Sequence, residues 1–352
     1  MLKQKSLKKK LAAIMMTMLI MVVATAQPIF AANPSLGLWR QDALSTTCLT
    51  EYVQAVTLPG SKDFIPVSAR IAVFDLDGTL YNETSPTYFD SLLYLNRVMF
   101  DKGYKATKHQ KDLAFKIADE AVNGVKHEGA WDQLNREYAA VFAGMTPEEL
   151  QQYTRAFMQT PVEGYAGLLK GNAFYLPMLQ LINYLQQNGF KVYVCSGTQR
   201  ILVRTLIEGK INIPPSQVIG SDTVIEASGQ GSADPLDYAY DKSKDSLVID
   251  GKTIVKNLDM NKVTAIQREI GQKPVLAFGN SGSDSSMVNY TLQNNPYRSA
   301  GFMLLCDDTV RENGNPKKAE SMLKSCTANG WVPISMKNDF LTIYGPGVVR
   351  TP

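Results

Sequence analysis

Two aspartates two residues apart, Asp75 and Asp77, close a short apolar run, Arg70-Ile71-Ala72-Val73-Phe74, and Gly78 and Thr79 follow at once. A run of this length and content reads as a buried strand and the glycine as a turn, so the carboxylates stand where the strand ends. Paired acids at such a place suit two tasks: one attacks an electrophile or holds a metal ion while the other handles protons. A second polar cluster, Ser196-Gly197-Thr198, follows the apolar run Val192-Tyr193-Val194-Cys195. A hydroxyl there, and the exposed backbone N–H groups ahead of a helix, suit a phosphoryl oxygen. A third, Gly279-Asn280-Ser281-Gly282-Ser283-Asp284, sets oxygen ligands on a flexible loop, as a hard cation such as magnesium prefers. Taken singly, these are also the sequences of an ordinary β-turn, an N-cap and a loop. Three in this order, each after an apolar run, point to one site.

The elements that must position these clusters alternate. A helix is expected over Ser45–Val56, ahead of the first strand. From about 83 to 170 the pattern is helical: Tyr88–Phe100, Lys111–Val122, Ala130–Phe142 and Thr146–Phe157 carry apolar residues at three- and four-residue spacing. Thr146-Pro147-Glu148-Glu149 has the form of an N-cap, a proline in the first turn and acids beside the helix dipole. Beyond this insert come helix Pro177–Gln187, strand Phe190–Cys195, helix Gln199–Ile207, helix Lys262–Ile270 and strand Pro274–Phe278. Strand Phe302–Cys306 and helix Lys317–Cys326 follow. Such alternation implies an α/β fold, a doubly wound parallel sheet with helices on both faces, whose ligands bind beyond the carboxyl ends of the strands.

The clusters carry a family likeness. Asp75-Leu76-Asp77-Gly78-Thr79-Leu80 resembles the first signature of the haloacid dehalogenase superfamily, Ser196-Gly197 the second, and Gly279 to Asp284 the fourth. The third signature is a lysine ahead of the last motif; Lys262 is the best match and Lys256 the runner-up, although a lone lysine at a helix start also reads as a solvated charge. The resemblance covers about residues 70 to 290 and is nearest the phosphoserine and phosphocholine phosphatase-like branch. It implies a Rossmann-like core over 33–82 and 171–352 and an all-helical cap over 83–170.

It also implies roles. Asp75 would attack phosphorus to give an aspartyl phosphate, and Asp77 would protonate the leaving alcohol and later activate water. Magnesium would be held by the Asp75 carboxylate, the Asp77 backbone carbonyl and the last loop through Asn280 and Asp284, while Lys262, Ser196 and Gly197 would hold phosphoryl oxygens. Asp77 favours phosphate ester chemistry, because a halide leaving group needs no proton. Many relatives have aspartate where this chain has Asn280, which leaves Asp284 more of the metal's charge. Glu83 falls where phosphoserine phosphatases carry a substrate-contacting glutamate, and a helix-start acid is the plainer reading. Tyr88, Trp131 and Tyr138 would make either an aromatic cage for a quaternary ammonium or ordinary core. Asp307, Asp308 and Arg311, after another apolar run, read first as structural.

Composition fits this picture and excludes others. The chain has 352 residues, 45% hydrophobic and 20% charged, which is a globular balance with length for one large domain or two. Its two histidines, His109 and His127, rule out a histidine cluster and any H-E-x-x-H zinc site. Five lysines between Lys3 and Lys10 precede an apolar stretch, Leu11–Ala26, that is short for a membrane span and is followed by small residues. This reads as a signal peptide over 1–32, with an uncleaved anchor as the competing reading, and places the protein outside the cytoplasm: secreted, periplasmic or at the cell surface. Removing those five lysines takes the formal charge from +3 to −2, which argues against nucleic acid as a partner. Of the four cysteines, Cys195 reads as a small buried hydrophobe, Cys306 and Cys326 are the pair a disulfide would join, and Cys48 is left over. The expected function is an exported magnesium-dependent phosphomonoester phosphatase acting on a small phosphate ester. A phosphotransferase of the same superfamily, or a non-catalytic surface-binding protein on this scaffold, are the alternatives.

Overall fold

The structure, a computed structural model, describes residues 36–351; the expected signal segment lies outside them. Seven strands form one sheet in the order β5-β4-β3-β1-β6-β7-β8. They are β1 (Ile71–Phe74), β3 (Lys191–Gln199), β4 (Val218–Ala227), β5 (Leu247–Val255), β6 (Leu276–Gly279), β7 (Ala300–Leu305) and β8 (Val332–Ser335). Every pairing is parallel except β4 with β5. Two-residue strands β2 (Tyr165–Ala166) and β9 (Val349–Arg350) pair separately and tie the C-terminal segment down.

Both faces of the sheet are buried, and the alternation of side chains along the strands divides the core in two. On one face Phe74, Phe278 and Phe302 stack across three neighbouring strands, with ring centroids 4.2 and 5.0 Å apart. They join the larger core with α1 (Leu44–Thr57) and α6 (Leu176–Gln187). On the other face Val73, Cys195, Ala277 and Met303 pack with α8 (Met260–Glu269), α9 (Ser285–Leu292) and α10 (Pro316–Asn329). A polar substitution at any of these strand positions would leave a buried group unpaired, at a cost of roughly 1–3 kcal/mol.

Between β1 and β3 lie the insert helices α2 (Phe89–Met99), α3 (Lys108–Asn123), α4 (Ala130–Glu137) and α5 (Pro147–Met158). Capping boxes begin α3, from Thr107 and Gln110, and α5, from Thr146 and Glu149. The helix expected over Ala130–Phe142 is instead α4 followed by a 3-10 turn, Tyr138–Phe142, that turns Tyr138 and Phe142 into the core. The insert is fastened to the sheet through β5: Gly144 N donates to the Ile249 carbonyl at 2.8 Å, and Ile249 N donates to the Met145 carbonyl at 2.9 Å. Between the helices expected at Gln199–Ile207 and Lys262–Ile270, a stretch with no element expected from the sequence, the structure places the β4–β5 pair. Helix α7 (Arg200–Ile207) separates β3 from β4 and packs on α5.

The four cysteines are free. Cys326 is buried against the second core face, whereas Cys306 Sγ turns to the loop after β7, 4.0 Å from the Asn313 carbonyl. The expected Cys306–Cys326 bridge is therefore not formed, because the two side chains serve different packing environments. No helix among the described residues is long and apolar enough to cross a membrane.

Candidate active site

The clusters converge at the carboxyl ends of β1, β3 and β6, the two latter strands pairing with β1 on its opposite edges. Asp75 follows the last residue of β1, and its N–H donates to the Phe278 carbonyl at 2.9 Å. Gly78 then turns the chain with φ of +79°, a region that glycine enters without strain. A Cβ at this position would lie 1.9 Å from Asn280 Nδ2 and 2.7 Å from Glu83 Cδ, so the glycine also makes room for two neighbouring side chains. At the end of β6, a Cβ on Gly279 would lie 2.4 Å from that of Asp284. Its absence lets the aspartate fold back over the strand end.

Lys262, in the first turn of α8, is fully buried between two carboxylates: Nζ lies 2.5 Å from Asp75 Oδ1 and 2.6 Å from Asp284 Oδ1. Burial would lower the lysine's pKa, but the Asp284 and Asp75 charges more than reverse this and hold it above its usual range. Burial and repulsion from Asp284 push Asp75 up, to about 7, against the pull of Lys262. Asp284 goes the other way despite burial, because Lys262 and the Asn280 and Ser281 N–H groups stabilise its charged form. Those N–H groups and the Ser281 hydroxyl all donate to Asp284 Oδ2 at 3.0 Å. Lys256, the other lysine candidate, is not at the motif; its Nζ lies 3.5 Å from Asp90 Oδ2 in α2.

Asp77 stands apart from the lysine. Its Oδ2 accepts from Thr198 Oγ1 at 2.8 Å and weakly from Ser196 Oγ at 3.4 Å, while Oδ1 is buried with no partner. Burial, then the charges of Asp90 and Asp75, raise its pKa well above the usual carboxylate range. The strand expected to stop at Cys195 runs on to Gln199, so Ser196, Gly197 and Thr198 lie in extended chain, with an irregular register against β4, before α7 begins. The extension places Thr198 beside Asp77. Asn257 secures it, with Nδ2 donating to the Ser196 carbonyl at 3.0 Å, and Ser221 Oγ donates to the Gly197 carbonyl at 2.6 Å.

Glu83 is buried and ion-paired with Lys318 of α10. Tyr88 meets Trp131 edge to face with centroids 6.2 Å apart, but Tyr138 is buried against Tyr94 and Phe142, and its hydroxyl donates to the Asp90 carbonyl at 3.1 Å. The three aromatics therefore do not form one cage, because Tyr138 belongs to the core. Asp308 and Arg311 pair with each other at 2.6 Å, and the guanidinium donates to the Met336, Lys337 and Phe340 carbonyls, a structural role. Sequence reasoning did not single out Lys318, Asp90, Asn257 or Ser221. A lone polar residue in a loop, at a helix start or, like Ser221, within a strand gives no periodic signal, and only the joining of distant segments brings these four to the site.

Among the described residues no group of three histidine, cysteine or acidic side chains is arranged to hold a metal ion. The donors at this place are the Asp75 and Asp284 carboxylates and the Asn280 amide, an all-oxygen set compatible with a hard cation. Asn280 Oδ1 accepts from Thr79 Oγ1 at 3.3 Å, and its Nδ2 is buried without a partner beside Gly78. With the amide turned over, Nδ2 would donate to the Thr79 hydroxyl and the oxygen would take the unpartnered place. The donor chemistry fits magnesium with one carboxylate fewer than the family pattern.

A doubly wound sheet with two aspartates at its central strand end, a buried lysine and an acidic last loop defines a hydrolase fold of known type. The chain belongs to the haloacid dehalogenase-like hydrolases, whose family pattern matches residues 72–288. No curated protein matches it in sequence. Among solved structures it is similar to a functionally unknown protein from Anaerococcus prevotii, at 12% identity and a TM-score of 0.50, over 83% of this chain and 91% of that one. A cytosolic 5'-nucleotidase IIIB bound to cytidine aligns at 11% identity and a TM-score of 0.49, over 85% and 88% of the two chains. A substrate-bound phosphoserine phosphatase aligns at 16% identity and 0.34, over 67% and 85%. These likenesses concern fold alone.

Proposed function

We propose that this hydrolase is an exported, magnesium-dependent phosphomonoester phosphatase that works through an aspartyl phosphate on Asp75. The observation that carries the reading is the separation of two buried aspartates into unlike surroundings: Asp75 on the Lys262 ammonium, Asp77 on hydroxyls alone. Burial raises both, but the Lys262 charge opposes the rise in Asp75 and no cation opposes it in Asp77, which makes Asp75 the readier anion and Asp77 the readier proton holder. In the first step an Asp75 oxygen attacks phosphorus, the phosphorus–oxygen bond to the alcohol breaks, and the departing oxygen takes both bonding electrons and the proton of Asp77. In the second, Asp77 takes a proton from water as the water oxygen attacks phosphorus, and the bond to Asp75 breaks to restore its carboxylate. Lys262 neutralises Asp75 before attack and phosphoryl charge after it, with Ser196 and the Gly197 backbone as further donors. Asp75, Asn280, Asp284 and the Asp77 carbonyl would hold magnesium, which supplies positive charge against the phosphoryl oxygens when bound.

Residues 83–170 would act as a cap that excludes water and selects the ester, with Glu83 and Trp131 at its contact with the substrate. The lysine-rich start and the apolar run to Ala26 support export, which N-terminal sequencing of secreted protein tests. The activity is tested by phosphate release from p-nitrophenyl phosphate with and without magnesium, and by rapid quench with labelled substrate. Label on Asp75 is expected; label on Ser196 or Ser281 would reject the mechanism.

A further inference from the structure

Resting on that reading, we infer that Thr198 is a positioning residue for Asp77: its hydroxyl holds Oδ2 and leaves Oδ1 as the oxygen free to face the substrate's leaving oxygen. Thr198 Oγ1 donates to Oδ2 at 2.8 Å and Ser196 Oγ donates to the same atom at 3.4 Å. Both hydroxyls thus address Oδ2 alone. Oδ1 is buried and has no partner, so it is the oxygen whose polar place is left for a ligand to fill.

The backbone of Thr198 strengthens this assignment. Its N–H donates to Ser196 Oγ at 3.0 Å, which occupies that oxygen as an acceptor and directs the serine hydrogen elsewhere, towards Asp77. Thr198 itself is held where β3 runs past its expected end, by Ser221 on the Gly197 carbonyl and Asn257 on the Ser196 carbonyl. With only one donor at normal distance, a carboxyl that lost Thr198 would be free to turn about its Cβ–Cγ bond, and neither oxygen would be held towards the substrate. Thr198 touches neither phosphorus nor the departing oxygen in this arrangement. It acts through Asp77.

The test uses Thr198→Val, which keeps the shape and removes the hydroxyl, and Thr198→Ser, which keeps the hydroxyl. Steady-state kinetics of the full chain are measured on p-nitrophenyl phosphate and on an alkyl phosphate, whose leaving oxygen needs the proton more. Thr198→Val should lose roughly 10- to 100-fold in kcat on the alkyl ester and only a few-fold on the aryl ester, with KM nearly unchanged. Thr198→Ser should return both esters to within a few-fold of the parent. Activity retained on the aryl ester reports that the variant is folded. Equal losses on the two esters, or a serine variant that behaves like the valine one, would overturn the role of Thr198. The parent enzyme run in parallel separates the two ideas: its turnover and its label on Asp75 bear on the phosphatase reading, and the ratio between esters bears on Thr198.

Discussion

Two buried acid clusters stand near the same loops and are compensated in opposite ways. In the first, Asp75 and Asp284 share the ammonium of Lys262. In the second, Glu312 has no cation paired with it among the described residues: Asn82 Nδ2 donates to it at 2.6 Å, Tyr165 at 3.0 Å, and Tyr344 also donates to it. Burial pushes Glu312 up to about 7, although the tyrosine hydroxyls pull it back. The first cluster keeps charge in the interior by supplying the opposite charge, as a reacting centre requires. The second joins four distant segments through neutral donors, and it can shed its charge by binding a proton.

Five substitutions would break or sharpen this contrast. Asp75→Asn should abolish turnover, by about a thousandfold or more, because an amide is a poor nucleophile; a variant that still turned over would remove Asp75 from the chemistry. Lys262→Met leaves two buried carboxylates facing each other, so the denaturation midpoint should fall by an amount equivalent to about 3–5 kcal/mol at neutral pH. An unchanged midpoint would mean that the lysine does not hold the pair.

Glu312→Gln tests the other cluster. A carboxyl raised in the folded state binds its proton more tightly there than in the unfolded chain, so its contribution is full at low pH and is lost as pH rises through the folded value. The window runs from the ordinary glutamate range up to about 7. The stability of Glu312→Gln relative to the parent should therefore rise between pH 5 and 8, by on the order of 1–3 kcal/mol. A flat difference across that range would show that Glu312 keeps its charge. The smallest effect is expected from Asn280→Asp, which restores a carboxylate to the last loop and should tighten magnesium a few-fold in an activity titration. Asp284→Ala in the same titration should weaken it severely, and wild-type metal dependence there would exclude Asp284 from the site.

The strands at the centre of the sheet were legible in sequence because burial on both faces writes itself as a continuous apolar run, as in Ile71–Phe74 and Leu276–Gly279. The helix caps at Thr146 and the motif residues Asp75, Asp77 and Asp284 were legible for a similar reason: each is a local signal, fixed by neighbours in the chain. The β4–β5 pair was not, since Thr223, Glu226, Lys252 and Thr253 interrupt the apolar positions of strands that are only partly covered. The continuation of β3 through Gly197 was also hidden, because glycine ordinarily ends a strand and here serves a close approach to Leu258.

Sequence alone determined the doubly wound core, the order of the clusters and the choice of acids, because these follow from apolar periodicity and from which side chains can attack, donate or bind a cation. Only the tertiary structure decided that Lys262 rather than Lys256 reaches Asp75, that Glu83 pairs with Lys318 and that Thr198 rather than a charged group holds Asp77. Each of these joins residues far apart in the chain, and their meeting depends on how β1, β3, β6 and the helices after them close together. The short-range forces that shape a strand or a cap carry no information about that closure.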